Sequence, residues 1–204
     1  MSRTKELPLN VLKEDAKAQK PHIDQAESTG YPLIVESRPL NYLIRLANDD
    51  DFEQVYAIWL DGIHNSFDYK SKDMKKIEQK FASIFFQRQG IFNFWIATDE
   101  NNKILGWQSL IRTSNNPFRE NIYAEASTYI SKDNRYKGMG KALLDYVMQE
   151  AEKSDLEYIT CFVSVVNEAA KKITEETGWI EIGVIPASKK GENKIVKSFL
   201  IRPV

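Results

Sequence analysis

The chain has 204 residues, 42% of them apolar and 28% charged, a composition that suits one globular domain with an appendage. Its 28 Lys and Arg against 29 Asp and Glu leave a formal charge of −1, too little for a broad field that would attract nucleic acid or an anionic membrane surface. A lone cysteine, Cys161, excludes an intramolecular disulfide and a cysteine-cluster zinc site, and His22 and His64 lie too far apart to suggest a metal site. The start has no apolar signal segment and no later window approaches about 18 uninterrupted apolar residues, so the expectation is a soluble, cytoplasmic protein without metal.

Residues 1–38 differ from the rest. Charged and amide residues alternate there with isolated apolar ones, and Pro8, Pro21 and Pro32 interrupt them, with Pro39 just beyond. This stretch reads as a weakly ordered extension with at most a short helix near Val11–Gln19. Alternatively it packs on the domain surface or on a second subunit through Leu9, Val11, Leu12 and Ile34. Residues 39–204 read as the domain itself.

From Asn41 the periodic signals sharpen. Tyr42–Leu46 is a short strand run, and Asn48-Asp49-Asp50-Asp51 suits a helix N-terminus, where side-chain oxygens cap free N–H groups. Phe52, Val55, Tyr56, Trp59 and Ile63 then fall on one helical face, and a second helix carries Met74, Ile77, Phe81, Ile84 and Phe85 before Gly90 stops it. Phe92–Thr98 and Lys103–Arg112 flank Asp99-Glu100-Asn101-Asn102 as a hairpin, and Ile122–Ser131 is a third strand. A helix from about Gly138 aligns Leu143, Leu144, Val147, Met148 and Ala151. Tyr158–Val163 is a buried strand, Glu168–Thr177 a short helix ended by Gly178, and Trp179–Val184 with Ile195–Ile201 a closing antiparallel pair. The order β-α-α-β-β-β-α-β-α-β-β predicts a mixed α/β sheet flanked by helices.

Chemistry concentrates between Tyr129 and Ala142. There a strand enters a short loop, and Gly138 and Gly140 sit at the mouth of an amphipathic helix. Glycine lacks a Cβ, so a ligand can approach the backbone, and free N–H groups at a helix start favour a phosphate. Arg135, Lys137 and Lys141 add positive charge. The alternative is a tight turn with solvated lysines. The spacing fits neither a Walker loop nor the dinucleotide fingerprint.

Arg135-x-x-Gly138-x-Gly140 after a strand resembles motif A of the GNAT N-acetyltransferase superfamily. Ile44-Arg45-Leu46-Ala47 with Asp50-Asp51, Asn102–Trp107, and Asn167–Ala170 through Glu175–Trp179 resemble three further segments of that family, in its order, over about residues 41–203. Tyr123–Ile130 resembles the strand that leads into motif A in the phosphinothricin acetyltransferase-like branch. The resemblance implies the GNAT fold, acetyl-coenzyme A as cosubstrate and a homodimer.

It also implies roles for particular residues. Backbone N–H groups of Tyr136, Lys137, Gly138, Met139, Gly140 and Lys141, with Arg135, would hold the pyrophosphate. The splayed end of the strand would take the pantetheine arm, with N–H of Tyr129 or Ile130 polarising the thioester, and Asn167 would contact the cofactor from the next strand end. Glu125 falls where the branch has its general base, a role that suits a carboxylate facing an ammonium substrate. Strand alternation puts Tyr123, Glu125, Ser127 and Tyr129 on one face. Phe67, Trp107 and Tyr123 are acceptor candidates, His64 a weaker one, and Cys161 reads as an inert core thiol.

One position departs from the family. Thr174 stands where the superfamily often has a Tyr and this branch a His, so the usual donor of a proton to the departing thiolate is missing. The expected activity is acetyl transfer to a small primary amine, an amino acid or an analogue of one. An acetyltransferase of protein N-termini or lysines and an acyl-coenzyme A-binding module with little turnover are the alternatives.

Overall fold

The computed structural model describes residues 42–63, 73–134, 136–187 and 196–204. Arg135, Phe67, His64, the extension 1–38 and part of the closing hairpin's connection lie outside them. The elements follow the expected order: β1 Leu43–Leu46, α1 Phe52–Ile63, α2 Met74–Phe86, β2 Phe94–Thr98, β3 Ile104–Arg112, β4 Tyr123–Ile130, α3 Met139–Ala151, β5 Tyr158–Ser164, α4 Glu168–Glu176, β6 Ile180–Ile185 and β7 Lys197–Pro203.

The caps explain where the first helices begin. Asn48 accepts from the Asp50 N–H while the Asp51 carboxylate accepts from the Asn48 N–H at 2.7 Å, a reciprocal capping box around a 3-10 turn at 49–51 that runs into α1. Asp51 is also gripped by both Arg45 nitrogens, at 2.7 and 2.9 Å, which ties α1 to β1. Asp73 caps α2 in the same way through the Lys76 N–H. In the β2–β3 turn, Asp99 Oδ1 accepts from the N–H groups of Asn101 and Lys103, and Asn102 takes a φ of 60°.

The seven strands form one sheet in the order β1-β2-β3-β4-β5-β7-β6. Every neighbouring pair is antiparallel except β4–β5, which is parallel. Alternation along the strands divides the core between the two faces. Phe94, Ile96, Trp107 and Tyr129 meet α1 and α2 on one side through Val55, Tyr56, Phe81 and Phe85. Leu110, Ala124, Ala126, Ile159, Cys161 and Leu200 meet Leu144, Val147 and Met148 of α3 and Ile173 of α4 on the other. No helix among the described residues is long and apolar enough to cross a membrane.

Candidate active site

The single parallel pair sets the site. Register between β4 and β5 holds only for Tyr123–Tyr158, Ala124–Ile159 and Glu125–Thr160, after which β5 continues beside β7 and β4 runs on along β3 alone. The Thr160 hydroxyl closes the seam by donating to the Ala124 carbonyl at 3.2 Å. Beyond it the sheet opens. Ser131 N–H donates to the Leu105 carbonyl at 2.9 Å, which fixes the parity of β4. Tyr129 N–H therefore faces β3, and the backbone groups of Ala126, Thr128 and Ile130 face the opening. Of the two N–H groups that the motif resemblance offers for the thioester, the geometry selects Ile130 and turns Tyr129 away.

At the end of β4 the chain passes through a 3-10 turn, 132–134, and reaches α3. Gly138 caps this helix with a φ of 87° and no side-chain hydrogen bond, and a Cβ built on it meets nothing within 4 Å. The left-handed conformation favours glycine, and the open space leaves room for a ligand. Met139 N–H donates to the Tyr136 carbonyl and Ala142 N–H to the Gly138 carbonyl, whereas Gly140 and Lys141 N–H have no acceptor among the described residues. A 13-residue helix presenting two free N–H groups beside an unobstructed glycine fits a pyrophosphate.

Other members of the motif differ in their roles. Met139 is buried and anchors the helix, Tyr136 and Lys137 are exposed, and Lys141 pairs with Asp145 at 2.6 Å. Gly140 offers its N–H but differs from Gly138 in what surrounds its Cα. A Cβ there would lie 3.6 Å from Ile173 and 3.9 Å from Ile130, in ordinary contact with the α4 side of the core.

Asn167 stands at the end of β5, but its Oδ1 caps α4 by accepting from the Ala170 N–H at 3.1 Å, which leaves only its amide nitrogen to turn elsewhere. Thr174 is buried, with its hydroxyl against the carbonyls of Ala170 and Lys171 in its own helix. It is committed to α4.

Glu125 sits at the last position of β4 that pairs with β5, half-buried, facing the α1 side together with Tyr123 and Tyr129. Burial pushes its carboxyl above the usual carboxylate range, and the positive charge of Lys197 partly offsets this. No hydrogen bond to its carboxylate is made among the described residues. Tyr123 stacks on Tyr158, ring centroids 5.5 Å apart, which floors this side of the opening. Cys161 is a core thiol on the opposite face, pushed up to about 12 by burial and by the Glu125 charge, so it is no nucleophile at neutral pH.

Trp107 is 1% exposed and its indole N–H donates to the Val55 carbonyl at 3.1 Å. It lies behind the Tyr129 ring, centroids 4.8 Å apart, and can shape an acceptor pocket only through that ring. Three participants went unnoticed in the sequence. Gly62 lies in α1 where a Cβ would come within 2.4 Å of Tyr129, so the helix needs glycine to admit the ring. Its only sequence signal is a glycine inside an otherwise regular helical pattern. Trp59 lies near enough to the Tyr129 phenol to offset part of the rise that burial gives it, and the charge of Lys197 acts on Glu125 from three strands away in chain order.

A parallel pair that opens beside a bare helix start, with a desolvated carboxylate at the fork, has the layout of an enzyme that presents a thioester arm to an amine. The chain belongs to the acetyltransferase (GNAT) domain family, whose model matches residues 41–180. It is an N-acetyltransferase by that membership. A Bacillus subtilis (strain 168) protein named provisionally as a phosphinothricin acetyltransferase, YwnH, is 26% identical over 152 residues, covering 74% of this chain and 91% of its own. A crystal structure carrying the same provisional assignment superposes with a TM-score of 0.67 at 25% identity, over 80% of this chain and 98% of that one. The phosphinothricin acetyltransferase of Sinorhizobium meliloti, solved in complex with acetyl-coenzyme A, has a TM-score of 0.65 at 20% identity, over 81% of this chain and 89% of its own.

Proposed function

We propose that this chain transfers the acetyl group of acetyl-coenzyme A to the primary amine of a small amino acid or amino-acid analogue, with Glu125 as general base. The observation that carries the reading is the position of Glu125, a half-buried carboxylate at the fork where β4 leaves β5. The cosubstrate supplies the activated acetyl group as a thioester. Gly140 and Lys141 N–H, beside the open Gly138, would hold its pyrophosphate, and Ile130 N–H would donate to the thioester carbonyl, as preorganised donors do where negative charge develops.

Glu125 takes a proton from the ammonium, and the neutral amine attacks directly. A carboxylate whose pKa lies above its ordinary value is a stronger base toward that ammonium. Lys197 on the same face favours an acceptor that carries an anionic group beside its amine. The departing thiolate takes its proton from solvent, because Thr174 is tied to its own helix. The domain spans 39–204 with 1–38 as an extension. Residence in the cytoplasm and homodimer assembly belong to the same reading and rest on the family resemblance.

The test is Glu125→Gln, assayed by coenzyme A release on a panel of amino acids, their decarboxylated amines and a peptide N-terminus. Turnover of a strongly basic amine should fall by about 10²–10⁴ with acetyl-coenzyme A affinity unchanged. A low-pKa amine should lose much less. Near-parental turnover of a basic amine at neutral pH removes Glu125 from the mechanism. Preference for the peptide over every small amine moves the substrate to protein.

A further inference from the structure

Of the eight residues of β4 only Thr128 is exposed, and it lies just past the fork, on the stretch that β5 no longer covers. Its β3 partner in register is Gln108, which is 0% exposed. The Thr128 hydroxyl donates to Gln108 Oε1, while Gln108 Nε2 turns to the Ser109 carbonyl at 3.4 Å.

A buried amide is costly, and Gln108 stands on the α3 side of the sheet between Trp95 and Leu110, where an apolar residue would pack at less cost. What the amide achieves is to orient Thr128. The hydroxyl has one hydrogen, and that hydrogen is spent on Gln108, so toward anything in the opening its oxygen is an acceptor. Register puts this acceptor on the way from the Gly138 mouth of α3 to the fork at Glu125. Along that way β4 presents Ile130, Thr128 and Ala126 on the α3 side. Ile130 packs with Met139 and Leu143, Ala126 is buried, and only Thr128 offers an accessible polar side chain. The pantetheine arm carries amide N–H groups, and each needs an acceptor when it leaves water.

Resting on the reading of the opening as the place of that arm, we propose that the Thr128 hydroxyl accepts from an amide N–H of the pantetheine arm. Gln108 is a positioning residue, which touches neither substrate and acts through Thr128. The arm is thus recognised by a side-chain pair in addition to the strand backbone.

Titration calorimetry of the full chain tests this, with acetyl-coenzyme A and with ADP, which keeps the pyrophosphate and lacks the arm. Thr128→Val should weaken acetyl-coenzyme A about fivefold, the loss of one hydrogen bond, and leave ADP unchanged. Thr128→Ser should stay near the parent. Thr128→Val also leaves Gln108 buried and unpaired, so its Tm should fall, and adding Gln108→Leu should restore Tm by removing both partners. The weakened affinity should persist in that double variant. Parental affinity in Thr128→Val, an equal loss for ADP, or affinity that recovers together with Tm overturns the assignment and makes the hydroxyl a packing group. If the parent binds acetyl-coenzyme A no better than ADP, the arm does not lie in the opening, and the reading of the site falls with the assignment.

Discussion

Glu125 combines two demands that oppose each other. The proposed role as base needs a desolvated carboxylate, and desolvation makes the ionised form costly in the folded chain. Because the folded pKa lies above the unfolded one, the folded state binds this proton more tightly. The group's contribution to stability is therefore fully present below the unfolded pKa and declines as pH rises through the folded one. Glu125→Gln should accordingly raise Tm relative to the parent at about pH 8, with the gap closing toward about pH 3, where the parent carboxyl is largely protonated in both states. Scanning calorimetry at the two pH values checks it, and an equal gap at both would mean that burial is not what shifts the group. Asp51 shows the contrary case. Burial there would raise the carboxyl, but hydrogen bonds from Arg45 and the Asn48 N–H, with the charges of Arg45 and Arg88, hold it below the usual range.

At the scale of an element, α3 begins with two glycines that do different jobs. Gly138 has a positive φ and open space at its Cβ, while Gly140 faces Ile173 and Ile130 at ordinary contact distances. Gly138→Val should strain the backbone by about 1–2 kcal/mol and place a branched side chain where the anion would lie. Its acetyl-coenzyme A affinity should fall at least about tenfold in a protein that still folds. Gly140→Ala should leave affinity near the parent and gain up to about 1 kcal/mol of helix stability. Titration calorimetry on both variants decides the assignment, and a reversal of the two effects would place the anion on the wrong glycine. The pattern of two glycines was plain in the chain, but their different orientations follow from how α3 docks against α4 and β4. Gly62 makes the same point, since only the Tyr129 ring, brought from 67 residues away in sequence, explains a glycine in α1.

At the scale of the whole molecule, the sheet order puts the candidate site at the one parallel seam among the described strands. β7 inserts between β5 and β6, so the closing hairpin pairs through its second strand and brings Lys197 onto the face of Glu125. All the described elements fall within Pro39–Val204. A chain beginning at Pro39 should keep its acetyl-coenzyme A affinity and a Tm within about 2 °C of the full chain. A large loss of either would give residues 1–38 a structural share in the domain.

The sequence by itself determined the elements and their order, because helical and strand periodicity, caps at Asn48 and Asp73 and turn residues at Asp99–Asn102 are local and each acts within a few residues. It also pointed to the Gly138 mouth through motif spacing and to Glu125 through the family resemblance. It could not say that β4 and β5 part at Glu125, that Ile130 and not Tyr129 turns its N–H into the opening, or that Thr174 bonds back to its helix. Those depend on strand parity, register and the docking of helices, which arise from contacts between residues far apart in the chain. Local pattern carries no record of them.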